Sequence, residues 1–220
     1  MKNNLNPLSM LNKKIKSDYS GMLEITWLNG RKILNTQQAN YSYGALHEIL
    51  KIGLEKTYPN RAGKVLVLGL GGGSILELLR KNFSFTGSIT AVEIDAKIIE
   101  IAKDEFKIQQ YEPLQVVCQD ATDFVQTDTH FYETLIVDLF IGTQIPTLFL
   151  EIDFWQHVEN LLQPHAVIIF NAGIKNAHQA AIDILIEKIA PLISFEKLEA
   201  VNGVNTLLLG KKIVEKKKPR

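Results

Sequence analysis

The sequence predicts an α/β protein with a seven-stranded, mostly parallel sheet that ends in an antiparallel pair and is preceded by a β-hairpin. Three observations predict it. From Lys64 onward, short apolar runs alternate with helix-length segments, the pattern of parallel strands joined by crossover helices. Near the end, the strand-like runs Ser194–Ala200 and Asn205–Leu209 are separated only by Val201-Asn202-Gly203-Val204, too short for a crossover, so they must pair antiparallel. Between Met22 and Leu34, two short runs flank Asn29-Gly30, the dipeptide that most readily supplies the two positive φ angles of a type I′ hairpin turn.

In chain order, residues 1–21 read as a basic, frayed extension and 22–40 as the hairpin. Leu46, Ile49, Leu50 and Leu54 recur at helical spacing from Ser42 to about Lys56, and Pro59-Asn60 stops the pattern. Strands follow at 65–69, 88–92, 114–118, 134–138 and 166–170, each so uniformly apolar that helices should cover both faces. Those helices fall near 74–82, 96–106, 121–127, 147–162 and 175–190. Residues 41–212 form one domain, and 213–220 are a basic tail.

Composition narrows the function. With 46% hydrophobic and 22% charged residues in 220, disorder and fibrous repeats are excluded and one sizeable core is expected. The net charge is zero, but +4 over the first 17 residues and +5 over the last ten leave −9 on the body, a poor surface for nucleic acid. The single Cys118 excludes an intramolecular disulfide and a multi-cysteine zinc site, and reads as core filling; no metal is expected. There is no apolar run near 18 residues and no signal-peptide pattern, so the expected location is cytoplasmic and no membrane is expected as a partner.

The sharpest local signal is Val65-Leu66-Val67-Leu68-Gly69-Leu70-Gly71-Gly72-Gly73-Ser74, a strand that runs through a glycine turn into a helix. Glycines at 69, 71 and 73 let a ligand approach the backbone, although a tight structural turn has the same composition. Glu93 ends the second strand, 22 residues past Gly71, where an acid can accept hydrogen bonds from both ribose hydroxyls of an adenosine-type ligand. Asp95 is placed to cap the next helix. Asp120, followed by Ala121, either receives an adenine amino group or caps the fourth helix. Asp138 ends the fourth strand and can orient an amine, act as base, or hold a loop. Tyr41, Tyr43 and His47 precede the sheet and are candidates for the substrate side, against a purely structural role for the histidine.

Together these residues resemble the spermidine synthase family from Met22 to about Lys212, in the order hairpin, Tyr-and-His segment, glycine loop, Val92-Glu93-Ile94-Asp95, Asp120-Ala121 and Asp138. The resemblance implies the Rossmann-like class I methyltransferase fold, in which the seventh strand inserts antiparallel beside the fifth. It also implies a nucleoside cofactor bound by Gly69, Gly71, Gly72, Gly73, Glu93, Asp120 and Ala121: S-adenosylmethionine, or alternatively its decarboxylated form. Three departures fall on the amine-binding acids of aminopropyl transfer. The family's glycine-loop Asp is Gly72, the acid three residues after Asp138 is Ile141, and the family's Glu between Tyr41 and His47 is Tyr43. The expected function is therefore an S-adenosylmethionine-dependent methyltransferase with Asp138 as catalytic group and a small-molecule acceptor. The alternatives are a polyamine aminopropyltransferase and a non-catalytic nucleoside-binding module, and a homodimer is left open.

Overall fold

A computed structural model of the chain describes residues 13–28, 30–36, 40–42, 45–174 and 177–214, with backbone alone at 28, 40–42 and 45. The hairpin expected around Asn29-Gly30 is present: β2 (Gly21–Leu28) and β3 (Arg31–Thr36) pair antiparallel, with Leu28 opposite Arg31 and Gly30 at φ +77°. Asn29 lies outside the described residues.

The hairpin is the middle of a larger sheet. Within the basic segment expected to fray, β1 (Lys13–Ser17) pairs with β2, and β4 (Asn40–Ser42) pairs with β3, giving the order β1-β2-β3-β4. The correction has a physical cause. In Lys13-Lys14-Ile15-Lys16-Ser17 the lysines point to solvent while Ile15 packs on the core and Ser17 is buried, an alternation too short to announce itself without its partner strand. Glu105 then pins this sheet to the body through ion pairs with Lys13 Nζ at 3.0 Å and Lys32 Nζ at 2.8 Å.

The main sheet follows the expected alternation closely. After α1 (Ala45–Thr57) come β5 (Lys64–Leu68), α2 (Ser74–Glu77, continued by one wider turn to Asn82), β6 (Ser88–Glu93), α3 (Ala96–Asp104), β7 (Leu114–Cys118), α4 (Ala121–Thr127) and β8 (Tyr132–Val137). A 3₁₀ turn (Thr147–Leu150) and α5 (Ile152–Asn160) occupy the expected fifth helix; then come β9 (Leu162–Ile174), α6 (Gln179–Ile189), β10 (Ile193–Val201) and β11 (Asn205–Lys212). The order is β10-β11-β9-β8-β5-β6-β7, and β11 lies antiparallel between β10 and β9, as the resemblance implied. β9 starts four residues before its expected position because it absorbs Pro164 and the positive-φ His165 in a register shift opposite β8.

Alternation along the strands divides the core into two layers. Val65 and Val67 face α2, α3 and the N-terminal sheet, while Leu66 and Leu68 face α4, α5 and α6 around the fully buried Trp155. The edge strand β7 departs from the expectation of two covered faces. It is only half-buried, and Cys118 at its end is exposed rather than core filling.

The sheet order reverses at β5: β6 and β7 lie on one side, β8 and β9 on the other. At that reversal Gly69 has φ +91°, and a Cβ on it would stand 2.2 Å from the carbonyl oxygen of Asp138. That neighbour is backbone and cannot swing aside. Gly69→Ala is therefore expected to destabilise the fold by about 3 kcal/mol or more, from φ strain and the clash together, measured by urea unfolding. A variant as stable as the parent would contradict the packing at this crossing.

Candidate active site

Open parallel sheets bind ligands in the crevice beyond the strands' carboxyl ends where the order reverses. Here Gly69 N–H donates to Val92 O at 3.0 Å, Gln119 N–H to Glu93 O at 3.1 Å and Asp138 N–H to Leu68 O at 2.9 Å, fixing the four strand ends against one another. They enclose a cavity of about 380 Å³. Gly69, Gly71, Glu93, Asp120 and Ala121 line it on the β5–β7 side and Asp138 on the β8 side. Among the described lining residues, Glu93, Asp120 and Asp138 are acids and there is no base.

Glu93 is 9% exposed, more enclosed than a strand's solvent end would be. Its Oε2 accepts the Gly71 N–H at 3.1 Å and its Oε1 accepts the Asp95 N–H at 3.2 Å. Burial pushes its pKa up to about 7, against the lowering effect of those backbone donors. The carboxylate thus shapes the glycine turn while facing the cavity.

Asp95 caps α3 as expected, its Oδ1 accepting Lys97 N–H at 2.9 Å, and its Oδ2 accepts a hydrogen bond from Ser17 Oγ. Ser17 Oγ in turn accepts the N–H groups of Tyr19 at 3.1 Å and Ser20 at 2.9 Å, and both of those residues line the cavity. The β1–β2 turn is therefore a wall of the site. No local sequence signal marks it, because Ser17 meets Asp95 across 78 residues. Asp120 caps α4 through Thr122 N–H at 2.6 Å and lines the cavity as well, so its two readings coexist geometrically.

Asp138 is half-buried, and desolvation pushes its pKa up to about 6, opposed by a hydrogen bond from Asn171 Nδ2 at 2.9 Å. Asn171 Oδ1 accepts from Asn205 Nδ2 at 2.9 Å, and both asparagines line the cavity. This Asp138–Asn171–Asn205 chain is absent from the sequence reading, although Asn171 closes the apolar run Val167–Phe170 of β9 as Asp138 closes that of β8. The remaining candidates separate. Gly72 and Gly73 are not among the lining residues; Gly73 starts α2 at φ +84° and a Cβ there would meet Ile108. His47 is buried on α1, whose Leu46 and Ile49 reach the cavity instead. Tyr41 lies in β4 with only its backbone described, and Tyr43 lies outside the described residues.

A model of the spermine/spermidine synthase domain matches residues 46–213. The chain belongs to that family. Among relatives, an eEF1A lysine and N-terminal methyltransferase homolog of Drosophila melanogaster is 34% identical over 116 residues, 49% of this chain and 17% of that protein. Polyamine aminopropyltransferase 2 of Aquifex aeolicus is 31% identical over 136 residues, 58% of this chain and 27% of that protein. This spermine/spermidine synthase-domain chain thus spans about a sixth to a quarter of the length of these relatives. In structure it is similar to a probable spermidine synthase from Corynebacterium glutamicum, with TM-score 0.75 and 14% identity over 91% of this chain and 79% of that one. It is also similar to human methyltransferase-like protein 13 in complex with SAH, with TM-score 0.62 and 24% identity over 80% and 86% of the two chains. These likenesses establish the class I methyltransferase fold.

Because the pKa of Glu93 rises on folding, from an ordinary 4.5 to about 7, its contribution to stability is fully present below about 4.5 and is lost as the pH rises through about 7. Glu93→Gln has no such titration. The stability of the parent relative to the variant should therefore fall by on the order of 2 kcal/mol between pH 5 and pH 8 in urea unfolding. A pH-independent difference would show that Glu93 titrates normally.

Proposed function

We propose that this chain is an S-adenosylmethionine-dependent methyltransferase, with Glu93 receiving the ribose hydroxyls, Asp120 and Ala121 beside the adenine, and Asp138 facing the acceptor. The observation that carries the reading is that Glu93 and Asp138, ends of β6 and β8, face one cavity from opposite sides of the glycine turn. The cavity suits such a cofactor: a buried acid stands ready for hydroxyl donors, and Gly69 leaves backbone space that a Cβ would fill. The methyltransferase relatives support the reading at the level of activity; their protein acceptor belongs to them.

The bound cofactor would supply a methyl carbon on a sulfonium, a good leaving group. The work left to this chain is alignment and proton removal. With an amine as acceptor, methyl transfer would leave one proton to be removed from its nitrogen. Asp138 is mostly ionised at neutral pH and is held by Asn171, so it can accept that proton or orient the amine for its loss. Ile141, in place of an acid of the family's polyamine loop, weighs against a polyamine acceptor, and Gly72, in place of the acid that grips the ammonium of decarboxylated S-adenosylmethionine, weighs against that form of the cofactor.

One observation favours a second reading. A cavity whose described lining lacks a base also suits decarboxylated S-adenosylmethionine, which has no carboxylate to neutralise. Products separate the two: S-adenosylhomocysteine released with an amine acceptor supports methyl transfer, whereas putrescine-dependent methylthioadenosine release would overturn it. Asp138→Asn should leave nucleoside affinity within a few-fold and lower turnover about 100-fold. In the parent, kcat/KM should fall as the pH drops through about 6, where Asp138 becomes neutral, and Asp138→Asn should lose that step. An unchanged rate in the variant would remove Asp138 from the chemistry.

A further inference from the structure

We infer that the acceptor of this site is an apolar monoamine, an alkyl or aryl body carrying a single basic nitrogen; this rests on the methyltransferase reading. Strand order divides the cavity. The β5–β7 side carries Glu93 and Asp120, whereas the side built by β8, β9, β11 and α1 carries Asp138 as its one ionisable group among the described residues. The lining side chains of this side are mostly apolar, Leu46 and Ile49 of α1, Leu139, Phe140 and Ile141 after β8, and Ile174 of β9, with the uncharged Thr143 among them. The uncharged carboxamides of Asn171 and Asn205 fix Asp138 rather than add charge.

A monoamine places its nitrogen on Asp138 and its body on these side chains. On this side a diamine would leave its second ammonium among hydrocarbon with no counter-ion among the described residues, which is unfavourable for a desolvated charge. Ile141 is 61% and Ile174 41% exposed, so the apolar wall continues to the mouth of the cavity, where a hydrophobic body gains contact.

The test measures binding on the full chain saturated with S-adenosylhomocysteine, by calorimetry, with 2-phenylethylamine, putrescine and a lysine-bearing peptide as probes. The expected result is 2-phenylethylamine binding at least tenfold tighter than either other probe. Ile141→Asp supplies a second acid at an exposed position whose backbone pairing with Gln144 does not involve the side chain. It should tighten putrescine about tenfold and weaken 2-phenylethylamine. Putrescine or the peptide binding the parent as tightly as 2-phenylethylamine, or Ile141→Asp leaving the preference unchanged, would overturn the inference. So would failure of 2-phenylethylamine to bind protein that has taken up S-adenosylhomocysteine, a result that leaves the nucleoside site intact. Failure of S-adenosylhomocysteine itself to bind would overturn the methyltransferase reading and this inference with it.

Discussion

Glu93 is a buried carboxylate whose two oxygens are taken up by the backbone N–H groups of Gly71 and Asp95, and the geometry of the site depends on it. One bond holds the turn after β5 and the other holds the entrance to α3, so a single side chain ties together two of the loops that bound the crevice. Burial makes its ionised form costly, and the pKa near 7 records that cost. A ligand that brings hydroxyl donors to the same carboxylate would relieve it. On the proposed reading, hydroxyl donors from the nucleoside thus stabilise a carboxylate that burial destabilises.

The same network reaches the N-terminal sheet. Asp95, held by Glu93, accepts from Ser17, and Ser17 sets the β1–β2 turn against the cavity through Tyr19 and Ser20. Lys13 and Lys32 hold that sheet on Glu105 from further away. The small sheet is therefore part of the binding wall. On the opposite side, the Asp138–Asn171–Asn205 chain links the end of β8 to β9 and to the start of β11, so the antiparallel insertion of the last strand has a consequence at the site.

Much of this was legible in the sequence, for reasons that also explain the failures. β5, β6 and β7 fall within a residue or so of their expected bounds because buried parallel strands must be apolar throughout, a signal each carries alone. The positions of Gly69, Glu93 and Asp138 follow from the same boundaries. β1 was missed because its sequence is mostly lysine and its reason to be a strand lies in β2. Cys118 was misplaced because an apolar run does not say whether its strand is an edge. Ser17, Tyr19 and Ser20 left no local trace, whereas Asn171 did: a polar residue closing the apolar run Val167–Phe170, in the strand beside the one that leads into Asp138.

The most direct test of the central claim, that a buried Glu93 carboxylate receives the nucleoside, is the number of protons exchanged when S-adenosylhomocysteine binds. Calorimetry near pH 6.5 in two buffers of different ionisation enthalpy measures it. Hydroxyl donors favour the ionised form, so the account predicts net release, up to about three-quarters of a proton for each nucleoside bound and absent in Glu93→Gln. Binding by the parent with no proton released, or the same release from Glu93→Gln, would contradict it.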